Sequence, residues 1–258
     1  MNSRILIILL TSLFTLNSCK ENKSALAPNT NVRLLQNEFM SWWNYHNDYI
    51  NLSIDFIAYN ESDKMISKKE FLSQLRTGNF IPVKLITTDN LEHYKLYSLQ
   101  SDSDKSIQET IKLSASTAYQ YFSLEGTLFP HFDLTDLNGT TYTNENTKGK
   151  TIILKCWFIN CTACVKEFHE LNQLVSEYQR SDKILFLSLA SDKNEKLRTF
   201  LNRKPLQYAT VGLQSDFMNN VLNVKEYPTH YIIDPNGVIK KVVSNVEDLL
   251  YAIRKMKL

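Results

Sequence analysis

The sequence predicts an α/β fold in the second half of the chain, preceded by a small α+β unit in the first half. From Gly126 onward, apolar runs with strand character alternate with segments whose apolar residues recur every three or four positions. This alternation is typical of strands joined by helices and favours a largely parallel sheet. Before Gly126 the helical and strand-like segments follow no such order. The folded part is therefore predicted to divide into residues 31–125 and residues 126–258.

The first unit has short, mixed elements. Its clearest signal is Ser67, which is predicted to begin a helix that runs to Arg76, with Glu70 three residues later in a capping-box arrangement. Gly78 is well placed to end that helix. Further helices are predicted at 34–45 and 107–122, and strands at 50–59, 80–87 and 92–99. This unit contains no chemical motif, so its role stays open.

In the second unit, a β-branched and aromatic run at 151–158 is suited to a central strand, and an amphipathic helix is predicted directly after it, at 162–180. Hairpins with favoured turn dipeptides are predicted around Asn138-Gly139 and Asn236-Gly237. A further strand is predicted at 183–190, and further helices at 193–203 and 246–256.

Composition excludes several classes of protein. Hydrophobic residues make up 43% and charged residues 22% of the chain, which is an ordinary globular balance. The formal charge of +2 gives no broad basic field, so no nucleic-acid partner is expected. Four cysteines are too few for a fold held together by disulfides. No cofactor is expected.

The chemical motif is Cys161-Thr162-Ala163-Cys164, at the junction of the predicted central strand and the long helix. Unpaired N–H groups and the helix dipole at this junction favour the thiolate of the first cysteine. The second thiol lies one turn inside the helix, where it can attack a mixed disulfide formed on the first. Zinc sites use the same spacing but need two more ligands. His169 is nearby, yet no second ligand pair follows, so no metal is expected.

The N-terminus has the features of a secretory signal. Arg4 is followed by an apolar run at 5–16, too short to cross a bilayer comfortably, and then by Leu16-Asn17-Ser18-Cys19. This ending resembles the lipobox of bacterial lipoproteins, which implies a signal peptide at 1–18 and lipid on Cys19. Residues 19–30 are then a polar tether. The alternative is an ordinary cleaved signal with an incidental cysteine. The expected location is the cell envelope, as a periplasm-facing lipoprotein on a bacterial membrane.

Several separated motifs in the second unit agree in order with one family. They are Phe132 to Gly139, Gly149-Lys150, Trp157 four residues before Cys161, the Cys164-Val165-Lys166-Glu167 run, and Tyr227-Pro228-Thr229 through Gly237. From Phe129 onward the chain resembles the TlpA/ResA-like branch of the thioredoxin superfamily, also described as redoxin or AhpC/TSA-like. The resemblance implies a thioredoxin-like fold and a membrane-tethered reductase of protein disulfides. It also implies a membrane thiol donor of the DsbD/CcdA kind.

The resemblance also assigns roles to individual residues. Cys161 and Cys164 would form the redox-active disulfide, and Glu167 would lie beside them and handle their proton. A cis-proline at Pro228 would pack against the pair, with Tyr227 and Thr229 beside it as substrate-binding positions. Trp157 is a further candidate for substrate binding. Cys156, inside the predicted strand, is interpreted as a small core residue.

Departures from the family pattern leave other functions open. Asn160 stands where the family often has Trp, and Thr162-Ala163 lacks the usual Pro, so the direction of electron flow is undecided. A peroxiredoxin-type peroxidase needs Pro and Thr seven and three residues before its reactive cysteine, where this chain has Leu154 and Phe158. A non-enzymatic lipoprotein that uses the fold as a scaffold is the third possibility. The intact cysteine pair argues against it.

Overall fold

The computed structural model describes residues 27–258, so the predicted signal peptide, Cys19 and most of the tether lie outside the described residues. The first unit is a four-stranded sheet with the strand order β2-β1-β4-β3, packed against three helices. Its elements are α1 (Phe39–Tyr49), β1 (Ile57–Tyr59), β2 (Met65–Ile66), α2 (Lys68–Leu75), β3 (Phe80–Lys84), β4 (His93–Ser98) and α3 (Lys105–Leu124).

The second unit is a five-stranded sheet with the order β11-β10-β7-β8-β9, preceded by a two-stranded hairpin. Strands β7, β8 and β9 run parallel, while β10 is antiparallel to β7 and to β11. The elements are β5 (Asp133–Thr135), β6 (Thr141–Thr143), β7 (Thr151–Trp157), α4 (Thr162–Lys166), α5 (Phe168–Glu177), β8 (Ile184–Ala190), α6 (Asn194–Leu201), β9 (Ala209–Val211), a π-helical turn (Phe217–Val221), β10 (Thr229–Ile233), β11 (Ile239–Val243) and α7 (Val246–Met256).

The central strand β7 is buried on both faces and separates two cores. Leu154 and Cys156 belong to one core, which also contains residues from the segment before β5. Ile153 and Trp157 belong to the other, which contains Cys161 and Cys164. Since side chains alternate along a strand, Lys155 faces the second core together with the cysteine pair.

The two units are joined at their boundary by ion pairs and by one buried aromatic side chain. Lys241 on β11 forms ion pairs with Asp55 at 3.0 Å and with Glu125 at 3.3 Å. Tyr121 on α3 is buried in the core of the second unit, where its hydroxyl lies 3.0 Å from the hydroxyl of Thr229. The same Tyr121 oxygen accepts a hydrogen bond from the backbone N–H of Lys225. Helix α3 therefore contributes to the core of the first unit and to the core of the second unit that contains Leu154 and Cys156.

Several predicted elements differ in extent from the observed ones. The helix predicted at 162–180 is interrupted at Glu167, whose backbone has ψ −9° and whose side chain points into the second core. Residues 50–56 are not strand, since Asn51 instead bonds Asp248 in the other unit. Strands β2 and β9 are two and three residues long and have no signal of their own in the sequence. Ser67 caps α2 as predicted, accepting a hydrogen bond from the Glu70 N–H.

Within residues 27–258, none of the helices combines the length and the apolar character needed to cross a membrane.

Candidate active site

Cys161 and Cys164 form a disulfide at the start of α4, with their Cα atoms 5.2 Å apart. Cys161 is the N-cap residue of the helix, and its sulfur accepts a hydrogen bond from the Cys164 backbone N–H at 3.1 Å. Cys161 retains 7% exposure, whereas Cys164 is completely buried. A sulfur that accepts an N–H bond at a helix start is favoured as a thiolate. The arrangement thus gives an accessible thiol first and a shielded thiol second.

The Glu167 carboxylate is held from three directions. Its Oε2 accepts hydrogen bonds from Lys155 Nζ at 2.5 Å and from His230 Nε2 at 3.0 Å. Its Oε1 accepts a bond from the backbone N–H of Val246 at 2.8 Å. Lys155 comes from β7, His230 from β10 and Val246 from the start of α7. The carboxylate therefore connects three elements beneath the helix that carries the thiols.

Opposing effects decide the ionisation of this cluster. Burial disfavours the Glu167 carboxylate, but the hydrogen bond and charge of His230 and the charge of Lys155 outweigh it and hold the pKa of Glu167 below its ordinary value. Burial lowers the pKa of Lys155, against the attraction of Glu167. Burial, assisted by the Lys155 charge, lowers the pKa of His230 to about 4. His230 is thus a neutral imidazole at neutral pH, and the 2.5 Å contact between Lys155 Nζ and Glu167 Oε2 is that of an ammonium–carboxylate pair.

Because an ionised carboxylate can only accept, His230 donates its Nε2 proton to Glu167. Its Nδ1 is buried and has no hydrogen-bond partner among the described residues. The hydroxyl of Tyr208 is likewise buried and unpartnered there, and its pKa is raised by burial and by the charge of Glu167. Such unsatisfied buried groups are rare in folded proteins and mark this region as polar at its centre.

The loop before β10 lies against the end of β7. The Tyr227–Pro228 peptide bond is cis, and Pro228 is buried. Thr229 pairs with Cys156 in the sheet, which brings this loop close to the strand end that leads to Cys161. Tyr227 is half-buried and packs edge-on against Phe158, with ring centroids 5.4 Å apart. Of the three residues predicted as substrate-binding positions, Tyr227 is partly exposed, whereas Pro228 is buried and Thr229 is completely buried.

Trp157 is placed differently from its predicted substrate-binding role. It is completely buried, its indole N–H donates to Ser188 Oγ at 3.3 Å, and its ring packs edge-on against Phe168. No part of the side chain is left for a substrate to contact. Its position suits packing beneath α4 and α5.

Cys156 is completely buried on the face of β7 opposite the cysteine pair, and burial raises its pKa. We therefore expect Cys156→Ala to lower the free energy of unfolding by about 1–2 kcal/mol, as a small core truncation. Disulfide exchange should proceed at the wild-type rate. Urea unfolding and reduction of a chromogenic disulfide, run on both proteins, check the two parts. A loss of exchange in the folded variant would assign Cys156 a redox role.

Two members of this cluster, Lys155 and His230, are not among the site residues predicted from the sequence. A signal was present for the lysine, since it is the one charge inside an otherwise apolar strand run, Thr151–Trp157. His169, the histidine near the cysteine pair in sequence, is exposed and forms a hydrogen bond with Gln173, whereas His230 is buried. No group of three or more potential metal ligands occurs among the residues that the structure describes.

A five-stranded sheet whose central parallel strand leads into a helix capped by a Cys-x-x-Cys disulfide defines a thioredoxin-fold thiol–disulfide oxidoreductase. Comparison with known proteins agrees. The profile of the AhpC/TSA family matches residues 126–242. Thioredoxin-like protein YneN of Bacillus subtilis (strain 168) is 31% identical over 126 residues, which are 46% of this chain and 70% of YneN. The chain belongs to the TlpA/ResA-like redoxins of the AhpC/TSA family.

Further similar proteins are named as thiol-disulfide oxidoreductases. Thiol-disulfide oxidoreductase ResA of Geobacillus thermodenitrificans (strain NG80-2) is 27% identical over 135 residues, 51% of this chain and 78% of ResA. Among solved structures, the thioredoxin domain of a thiol-disulfide oxidoreductase from Bacteroides vulgatus is similar, with a TM-score of 0.46 and 23% identity. That match covers 51% of this chain and 96% of the solved one. Residues 27–125 lie outside the AhpC/TSA match.

Proposed function

We propose that this protein is a membrane-tethered reductase of disulfides in proteins of the cell envelope, with Cys161 as the attacking thiol. The observation that carries the proposal is the difference in exposure between the two cysteine residues, 7% at Cys161 and none at Cys164. An exchange reaction needs an exposed nucleophile and a resolving thiol behind it.

The reaction proceeds in two exchanges. The Cys161 thiolate attacks one sulfur of a substrate disulfide, forms a mixed disulfide and releases the other sulfur as a thiolate that takes up a proton. Cys164 then loses its proton and attacks the Cys161 sulfur, which releases the second substrate thiol. The substrate gains two electrons and two protons, and the enzyme is left with the Cys161–Cys164 disulfide. A membrane thiol donor of the DsbD/CcdA kind restores the dithiol by the same chemistry in reverse.

Glu167 affects the second exchange, because Cys164 has to become a thiolate in that step. It follows Cys164 by three residues and so lies on the same side of the helix. Its charge influences the energy of forming a second anion in the site. We assign substrate contact to the stretch 227–229, through the partly exposed Tyr227 side chain and the backbone of its two buried neighbours.

The reducing direction predicts a low midpoint potential. No His or Lys lies between the cysteines to stabilise the thiolate by its charge, which is one route to an oxidising couple. We expect a value near that of thioredoxin, roughly −270 mV, and far from the roughly −120 mV of dedicated oxidants. Equilibration of the purified protein with glutathione redox buffers measures it. A value at the oxidant end would contradict the reductase proposal and favour an oxidase.

The tether is a separate expectation that rests on the sequence. Mass spectrometry of the mature protein should find an acylated Cys19 as its first residue. Holding the redox unit at the membrane would raise its effective concentration near a membrane thiol donor. An unmodified N-terminus at another residue would remove the lipid anchor from the proposal and leave the thiol chemistry untouched.

A further inference from the structure

Lys155 is an unusual residue for the middle of a central strand. It is completely buried, and its ammonium group has one hydrogen-bond partner among the described residues, the Glu167 carboxylate at 2.5 Å. Burying an ammonium group is unfavourable unless an opposite charge compensates it. The pair therefore exists as a unit, and removal of either member leaves the other as an uncompensated buried charge.

The pair lies in the core that contains the cysteines. Lys155 is six residues before Cys161 and Glu167 is three residues after Cys164, so the pair brackets the redox motif in sequence. Three elements contribute groups that contact the Glu167 carboxylate. The strand β7 gives the Lys155 ammonium, β10 the neutral His230, and α7 the backbone N–H of Val246. Cys161, Cys164 and Tyr208 belong to the same core, and the charge of Glu167 contributes to the raised pKa of Tyr208.

We propose that Lys155 is a positioning residue of the exchange reaction, whose cation cancels the charge of Glu167 so that the buried cluster presents no net charge to the thiols. This inference rests on the proposed function and deepens it. A carboxylate alone beneath the helix would oppose formation of the resolving thiolate on Cys164, because like charges in a buried site repel. With Lys155 in place, Glu167 keeps its hydrogen bonds to His230 and Val246 without that penalty.

The proposal predicts that the pH dependence of thiol reactivity follows the net charge of the cluster, which a purely structural role of Lys155 would not produce. The quantity measured is the alkylation midpoint, the pH at which the reduced protein reaches half its maximal rate of reaction with iodoacetamide at Cys161 and Cys164. Lys155→Met leaves a net negative cluster and should raise the midpoint by about 1 to 3 units, the effect of one close charge. Glu167→Gln leaves a net positive cluster and should lower it. The double variant is neutral again and should return close to the wild-type midpoint.

A matched control separates this effect from the general cost of removing a buried lysine. Lys241 is also buried, on β11, and pairs with Asp55 and Glu125 at the boundary of the two units. Lys241→Met should lower stability and leave the alkylation midpoint unchanged. A shift of equal size in this variant would show that the midpoint follows stability, and the proposal would fall.

Two further outcomes overturn it. A folded Lys155→Met protein with the wild-type midpoint would show that Lys155 does not act on the thiols. If the alkylation midpoint of the double variant were shifted as far as that of Lys155→Met, Glu167 would not be the group through which Lys155 acts. If Lys155→Met does not fold, the midpoint of Glu167→Gln must still lie below that of the double variant, and equality contradicts the proposal. Alkylation tests the role of Lys155 without any substrate or donor. Failure of the proposed function would look different, since the two thiols would titrate normally but the protein would not reduce a protein disulfide.

Discussion

Cys161→Ser is expected to reduce the rate of disulfide exchange by roughly a thousandfold or more, because no other accessible thiol in the site can begin the reaction. Cys164→Ser is expected to keep the first exchange and lose the second, so that mixed disulfides with substrate proteins accumulate. The reason for the difference is position, since Cys161 caps α4 and accepts the Cys164 N–H, whereas Cys164 is completely buried one turn further on.

Two measurements check this order. Alkylation of the reduced wild-type protein at mildly acidic pH, followed by peptide mapping, should label Cys161 first. Capture of mixed disulfides in cells should succeed with Cys164→Ser and fail with Cys161→Ser, with Cys156→Ala as the control that behaves as wild type. Labelling of Cys164 or Cys156 before Cys161 would contradict the assignment.

The free energy of unfolding of the oxidised protein is expected to fall by about 3 kcal/mol or more as the pH decreases from about 6.5 to about 4. Burial holds the pKa of His230 at about 4 in the folded state, below its ordinary value in the unfolded chain. At a pH below the ordinary pKa of histidine, the unfolded chain therefore binds a proton at His230 that the folded protein does not bind. The contribution of His230 to stability is complete above pH 6.5 and is lost as the pH falls toward 4.

Urea unfolding across this pH range provides the test. His230→Gln keeps a donor to Glu167 but cannot titrate, so its stability should depend less steeply on pH than that of the wild type. His46 in the first unit also has a pKa of about 4 because of burial, and a His46→Gln protein should retain the part of the slope that belongs to His230. Equal slopes in wild type and His230→Gln would exclude His230 as the titrating group.

Local signals in the sequence predicted much of the fold. Ser67 with Glu70 located the start of α2, and Asn138-Gly139 the β5–β6 turn. The helix predicted after the central strand exists but is interrupted at Glu167, because that side chain turns inward to partners from other elements. Periodicity describes which side of a helix is apolar and contains no information about such partners.

The site was predictable in its thiols and not in its charges. Cys161 and Cys164 are three residues apart, so spacing alone suggests their chemistry. Glu167 meets Lys155 across 12 residues and His230 across 63, and such contacts depend on how β7, β10 and α4 pack. Trp157 shows the same limit, because the family resemblance suggested contact with substrate whereas its place on β7 buries it.

Tyr121 has a consequence for how the protein can be divided into fragments. Its ring occupies the interior of the redox half, and its hydroxyl holds Thr229 and the Lys225 backbone, yet it comes from the half that lies outside the AhpC/TSA match. A fragment that began at Gly126 would leave a ring-sized void beside β10. A redox fragment that keeps this contact therefore has to include α3.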